Sequence, residues 1–138
     1  MAIIPVFIPH AGCPHQCVFC NQKTISGQQT ASSRDVEQQL ERYLQWLKPG
    51  PSNEAAFYGG SFTGLPADLQ TELFRPVDKL LAEGVIGSVR LSTRPDYIDA
   101  ARLELLQAHG VKTVELGVQS LDDNVLAAAE RGHQATDV

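Results

Sequence analysis

Apolar positions along this chain switch between two periods. Ile3 to Ile8 is a short apolar run of the length a buried strand uses. From about Ser33 to Lys48 the spacing becomes helical, with Val36, Leu40, Tyr43, Leu44 and Leu47 on one face. Pro49-Gly50-Pro51 then stops the pattern. Ala55 to Tyr58 predicts a second strand, closed by Gly59-Gly60. A second helix is expected from about Pro66 to Glu83, with Leu69, Leu73, Val77, Leu80 and Leu81 toward the core. Pro76 falls inside it, which predicts a kink or a break, and Gly84 ends it. Val89 to Thr93 predicts a third strand. Tyr97 to His109 predicts a third helix, with Ile98, Ala101, Leu105 and Leu106 inward and Gly110 at its end. Val114 to Val118 predicts the fourth strand, and Ser120-Leu121-Asp122-Asp123 reads as a capping box opening a fourth helix.

Strand, loop and helix therefore repeat four times, and the joints Leu80 to Val85 and Leu105 to Val111 resemble each other. Repeated β/α units with short connections imply a parallel sheet wound in one direction. A Rossmann-type open sheet and a partial (β/α) barrel both fit. No linker or charge block divides residues 1–138, so the chain reads as one α/β domain. Parallel β/α folds place their sites at the carboxyl ends of the strands. That rim would carry the loop after the first strand, Tyr58-Gly59-Gly60-Ser61, Ser92-Thr93-Arg94 and Gly117-Val118-Gln119-Ser120.

Composition is that of an ordinary globular protein, 43% hydrophobic and 20% charged. The net charge of -5 excludes a chain-wide attraction to nucleic acid or anionic membrane. Met1-Ala2-Ile3-Ile4-Pro5 lacks the features of a secretory signal, and no stretch approaches the roughly 20 apolar residues of a spanning helix. A cytoplasmic location without membrane partners is the expectation. All three cysteines lie in Cys13-Pro14-His15-Gln16-Cys17-Val18-Phe19-Cys20. An odd, clustered set argues against a disulfide framework and toward metal or redox chemistry. Close spacing lets one loop wrap three corners of an iron–sulfur cluster. Two alternatives stay open: a structural zinc site completed by His15, and a redox pair formed by Cys17 and Cys20, which leaves Cys13 unexplained.

The cysteine motif, with Phe19 immediately before its last cysteine, resembles the signature of radical S-adenosylmethionine enzymes. The resemblance runs from about Ile4 to His133. It implies that Cys13, Cys17 and Cys20 bind a 4Fe–4S cluster and that its fourth iron is left for S-adenosylmethionine. It implies further that Gly59, Gly60 and Ser61 meet the cofactor's amino group and that Phe19 lies near the adenine. Gly117-Val118-Gln119-Ser120 and Arg131-Gly132-His133 resemble the branch containing oxygen-independent coproporphyrinogen dehydrogenase and the Elongator catalytic subunit. By that resemblance Gln119 contacts the ribose and Arg131 the carboxylate. Ser92 occupies a position that contacts ribose or amino group in relatives, sometimes as an acid.

Two departures qualify the match. Coproporphyrinogen-type members carry a fourth cysteine two residues after the third, where this chain has Gln22. The Elongator type carries an acetyltransferase domain, for which 138 residues leave no room, although Arg94-Pro95-Asp96-Tyr97 resembles that branch. The family core is a partial barrel of six β/α units, of which about four are readable here, so a C-terminally incomplete core is expected. The implied activity is reductive cleavage of S-adenosylmethionine to a 5′-deoxyadenosyl radical that abstracts hydrogen from a substrate. The electron comes from a flavodoxin- or ferredoxin-type donor, and a tRNA base or a tetrapyrrole are candidate substrates. The rivals are a non-enzymatic zinc-binding α/β module and a cluster-binding remnant without turnover.

Overall fold

The computed structural model describes residues 1–9, 13, 15–20 and 31–138; Pro14, Gln22 and Gly27 lie outside them. Four strands, β1 (Ile3–Phe7), β2 (Glu54–Tyr58), β3 (Ser88–Thr93) and β4 (Val111–Leu116), pair in parallel in the order β1-β2-β3-β4. A doubly wound sheet reverses its strand order at a switch point. This sheet never reverses, and that separates the partial barrel from the Rossmann alternative.

Helices α1 (Ser33–Leu44), α2 (Ala67–Ala82) and α3 (Ala100–Ala108) fill the three crossovers, and α4 (Asp123–Ala128) follows β4. One apolar cluster joins Ile4 and Val6 of β1, Phe57 of β2 and Leu91 of β3 to Val36, Leu73, Val77 and Leu106 of the helices. The helices thus cover one face of the sheet. The other face carries charge: Arg90 on β3 pairs with Glu54 on β2 at 2.8 Å and with Glu115 on β4 at 2.7 Å. Phe57, Phe62 and Phe74 form the centre of the core, with ring centroids 4.9 to 5.6 Å apart.

Local chemistry explains where the elements begin and end. Ser32 caps α1 through a reciprocal box with Asp35. The Gln45 side chain donates to the Arg42 carbonyl, and α1 ends at Leu44 rather than Lys48. Of the kink or break expected at Pro76, the break does not occur: α2 runs through it as one helix. Pro95–Tyr97 forms a 3-10 turn, so α3 starts only after Asp99, whose carboxylate accepts from the Arg102 N–H. The cap of α4 is Asp122, and Ser120 instead accepts the Asp122 N–H. Strand β4 starts at Val111 and ends at Leu116, earlier than expected, because the chain turns at Gly117. On the outer side of β1, the Gln39 amide accepts from the Phe7 N–H at 2.7 Å and donates to the Phe7 carbonyl at 2.9 Å. A side chain there takes the hydrogen bonds that another strand would make.

Phe57→Ala removes the ring at the centre of the aromatic cluster and is expected to cost about 3–5 kcal/mol. Trp46→Ala, at an 83% exposed position, is expected to change stability by less than about 0.5 kcal/mol. Urea titration of both variants against the parent checks the contrast.

Candidate cofactor cavity at the strand ends

The carboxyl ends of the strands open into a cavity of about 360 Å³. Cys13, Cys17, Phe19 and Cys20 line it from the loop after β1, and Gly59, Gly60 and Ser61 line it from the turn after β2. Ser92, Thr93 and Arg94 enter from β3, Glu115 to Gly117 and Gln119 from β4, and Arg131 from beyond α4. The structure therefore gathers every site residue expected from sequence onto one cavity. Among the described residues, no three His, Cys, Asp or Glu side chains stand as a ready ligand set.

The cysteine segment is docked rather than free-standing. Its Cys17–Cys20 portion is a turn closed by the Cys20 N–H on the Cys17 carbonyl at 2.8 Å. The Val18 N–H donates to the carbonyl of Ala129, just past α4, at 3.2 Å. The His15 ring lies where a Cβ on Gly132 would stand, and Gly132 holds a φ of 78° that favours glycine. His15 is thus engaged in packing against the Arg131–His133 segment.

Two arginines reach the sulfurs. Arg131, 8% exposed, donates from Nη1 to Cys17 Sγ at 3.6 Å and from Nη2 to the Gly117 carbonyl. Its Nε is buried without a partner among the described residues. Arg94, 1% exposed, forms a fork on Asp96 at 2.9 and 3.1 Å. It also donates to the Arg131 carbonyl at 2.6 Å and to Cys13 Sγ at 3.8 Å. Burial weighs against the Arg94 charge, but Asp96 and Cys13 more than offset it and hold its pKa above the usual guanidinium value.

The glycine turn and the β3–β4 rim carry details that sequence alone did not give. Gly59 has a φ of 106°, and a Cβ there would collide with the Ile8 carbonyl and the Phe7 ring. Its lack of a side chain therefore makes room for the end of β1 and for Ile8, while its backbone lines the cavity with Gly60 and Ser61. Ser92 and Glu115 are register partners, and the Ser92 hydroxyl donates to Glu115 Oε2 at 3.3 Å. Glu115 thus supplies, from the neighbouring strand, a carboxylate beside the position where relatives sometimes carry an acid. Sequence reasoning placed Arg94 on the rim without giving it a role, and it did not name Glu115, which sits near the end of β4. Gln119 holds a left-handed φ of 71°, a sparsely populated conformation for a side chain of its kind.

Residues 7–138 match the family described as the Radical SAM superfamily, and the chain belongs to it. A tRNA uridine(34) acetyltransferase of Dehalococcoides mccartyi is 44% identical over 48 residues, covering 35% of this chain and 10% of that protein. The heme chaperone HemW of Bacillus subtilis is 28% identical over 137 residues, 91% of this chain and 34% of that protein. Among solved structures, Elp3 of the archaeon Methanocaldococcus infernus, lacking its N-terminal residues 1–46, superposes with a TM-score of 0.67 at 18% identity. That superposition covers 99% of this chain and 33% of the other, and it supports the barrel reading of the fold. The chain spans less than half the length of the curated relatives it matches. Family and branch, HemW- and Elp3-like, agree with the resemblance read from the cysteine and glutamine motifs. Among the described residues, no helix is long and apolar enough to cross a membrane.

Two residues after Arg131, His133 is buried with neither ring nitrogen hydrogen-bonded among the described residues. Burial first, then the Arg131 and Arg94 charges, lower its pKa below the ordinary 6.5. The unfolded chain therefore binds a proton that the folded chain resists. Its contribution to stability is complete above about pH 6.5 and is lost as the pH falls toward the lowered folded value. Melting temperatures taken from pH 7.5 down to 5 are expected to fall more steeply for the parent than for His133→Gln.

Proposed function

We propose that this chain binds a 4Fe–4S cluster through Cys13, Cys17 and Cys20 and S-adenosylmethionine beside it in the strand-end cavity, as part of a radical enzyme. The observation that carries the reading is the convergence of three thiols, the Gly60-Ser61 turn, Gln119 and Arg131 on one cavity. The donor set fits the group: three soft ligands with guanidinium N–H groups directed at two of the sulfurs. When bound and reduced, such a cluster supplies the electron that cleaves the cofactor's carbon–sulfur bond to a 5′-deoxyadenosyl radical. The residues here bind, orient and shield. Arg131, whose buried Nε has no partner among the described residues, turns its guanidinium to the cofactor's carboxylate. Gly59, Gly60 and Ser61 meet the amino group. Ser92, with the carboxylate of Glu115 behind it, and Gln119 receive the ribose, and Phe19 faces the adenine.

The electron donor in this reading is of flavodoxin or ferredoxin type, and the setting is cytoplasmic. A tRNA base is the substrate class to test first, since one relative is named a tRNA uridine(34) acetyltransferase; a tetrapyrrole comes second, since another is named a heme chaperone. The single-domain span 1–138 belongs to the same proposal.

Anaerobic reconstitution with iron and sulfide tests the reading. We expect about four irons per chain and an absorption spectrum that changes when S-adenosylmethionine is added. Cys17→Ala should lower iron uptake severalfold. Zinc uptake without iron would favour a structural zinc module. A cluster insensitive to the cofactor would count against the cofactor site, and a cofactor-sensitive cluster that releases no 5′-deoxyadenosine under reducing conditions would favour a remnant without turnover.

A further inference from the structure

We infer that Arg94 is a positioning residue for the proposed cluster, holding the Cys13 sulfur and making the cluster easier to reduce. The inference rests on the cluster reading and concerns a residue outside the cysteine, glycine and glutamine motifs.

Arg94 is the largest side chain with essentially no exposure, and it sits where β3 ends. Burying a guanidinium is costly unless its charge and its N–H groups are met. Here Nε and Nη2 are taken by the Asp96 fork, and Nη2 also reaches the Arg131 carbonyl. Nη1 is directed at Cys13 Sγ. That last contact is not needed to satisfy the ion pair, and it lies on the cavity side. The arrangement joins three segments distant in sequence: the cysteine loop, the end of β3 and the segment after α4. Arg131 does the same for Cys17, so two of the three sulfurs each receive a fixed N–H donor from a cation.

Adding one electron to a thiolate-ligated cluster increases the negative charge on its sulfurs. N–H donors and fixed positive charge nearby stabilise that reduced state and raise the reduction potential. Because the guanidinium stays protonated at any working pH, the effect does not depend on titration. Lysine could keep the charge but not the planar fork that reaches Asp96 and Cys13 together.

The test uses the full chain with reconstituted cluster, and Arg94→Gln/Asp96→Asn as the variant, which removes the buried Arg94 charge together with that of its half-buried partner. Dye-mediated redox titration should show the reduced-to-oxidised ratio at a fixed poise falling about tenfold, about 59 mV for one electron, with iron content retained. Arg94→Lys should show a smaller fall in the same direction. The melting curve of each metal-free variant separates folding from tuning. If the double variant does not fold, Arg94→Lys, which keeps the ion pair, decides alone. A potential equal to the parent's in any variant that folds and loads iron overturns the inference while leaving the cluster reading intact. If the parent itself takes up no iron, the cluster reading fails first.

Discussion

Parallel strands used in chain order constrain everything else in this structure. Each of β1, β2 and β3 must be followed by a crossover that returns the chain to the same starting end. Every strand therefore finishes on one rim, and whatever follows a strand is delivered there. The cysteine loop, the Gly59-Gly60-Ser61 turn, the Ser92-Thr93-Arg94 step and the Gly117–Ser120 turn meet only because of this. None of these segments is close to the next in sequence. The register of the sheet, with Phe7 beside Tyr58, Phe57 beside Leu91 and Thr93 beside Leu116, sets their relative heights.

The strands do not contribute equally to holding that register. All but the last residue of β2 is buried, while no residue of β4 is. Apolar packing thus fixes the middle of the sheet, and polar ties fix the β4 side. Arg90 bridges Glu54 and Glu115 across β2, β3 and β4. Arg131 holds the Gly117 carbonyl just beyond β4. The same division explains how the two faces differ: a dry, aromatic core under the helices and a charged surface leading up to the cavity.

The short apolar runs, the helical stripes and the glycines made the order of elements legible in sequence, because each of these patterns is local. Strand order was not legible in the periodicity, which both parallel architectures share; it was the family resemblance carried by the cysteine motif that implied the partial barrel. Boundaries moved where a side chain competed for a cap: Asp99 and Asp122 claimed helix starts, while Ser120 turned to the Asp122 N–H instead. The ligand-type residues were legible through their motifs. Their supports were not, because Arg94 reads in sequence as a polar residue after a strand and only folding buries it. Gly59 shows the same limit, since the atoms that require a glycine there belong to Phe7 and Ile8, some fifty residues earlier.

One buried ion pair stands behind the strained part of the cavity. A left-handed conformation at Gln119 costs about 1–2 kcal/mol and persists only if its neighbours are fixed. The Val118 N–H is held by the Leu116 carbonyl, the Ser120 N–H by the Val118 carbonyl, and Gly117 by Arg131. The main chain of Arg131 is in turn held by Arg94, and Arg94 can remain in a fully buried position only because Asp96 answers its charge. Losing Asp96 would leave the buried Arg94 charge uncompensated, a change that typically costs about 3–5 kcal/mol, more than the strain at Gln119. Relaxing the turn at the expense of the contacts that compensate Arg94 would therefore cost more than the strain it relieves. The geometry presented to a ligand at Gln119 is therefore set from below, by Asp96 through Arg94 and Arg131.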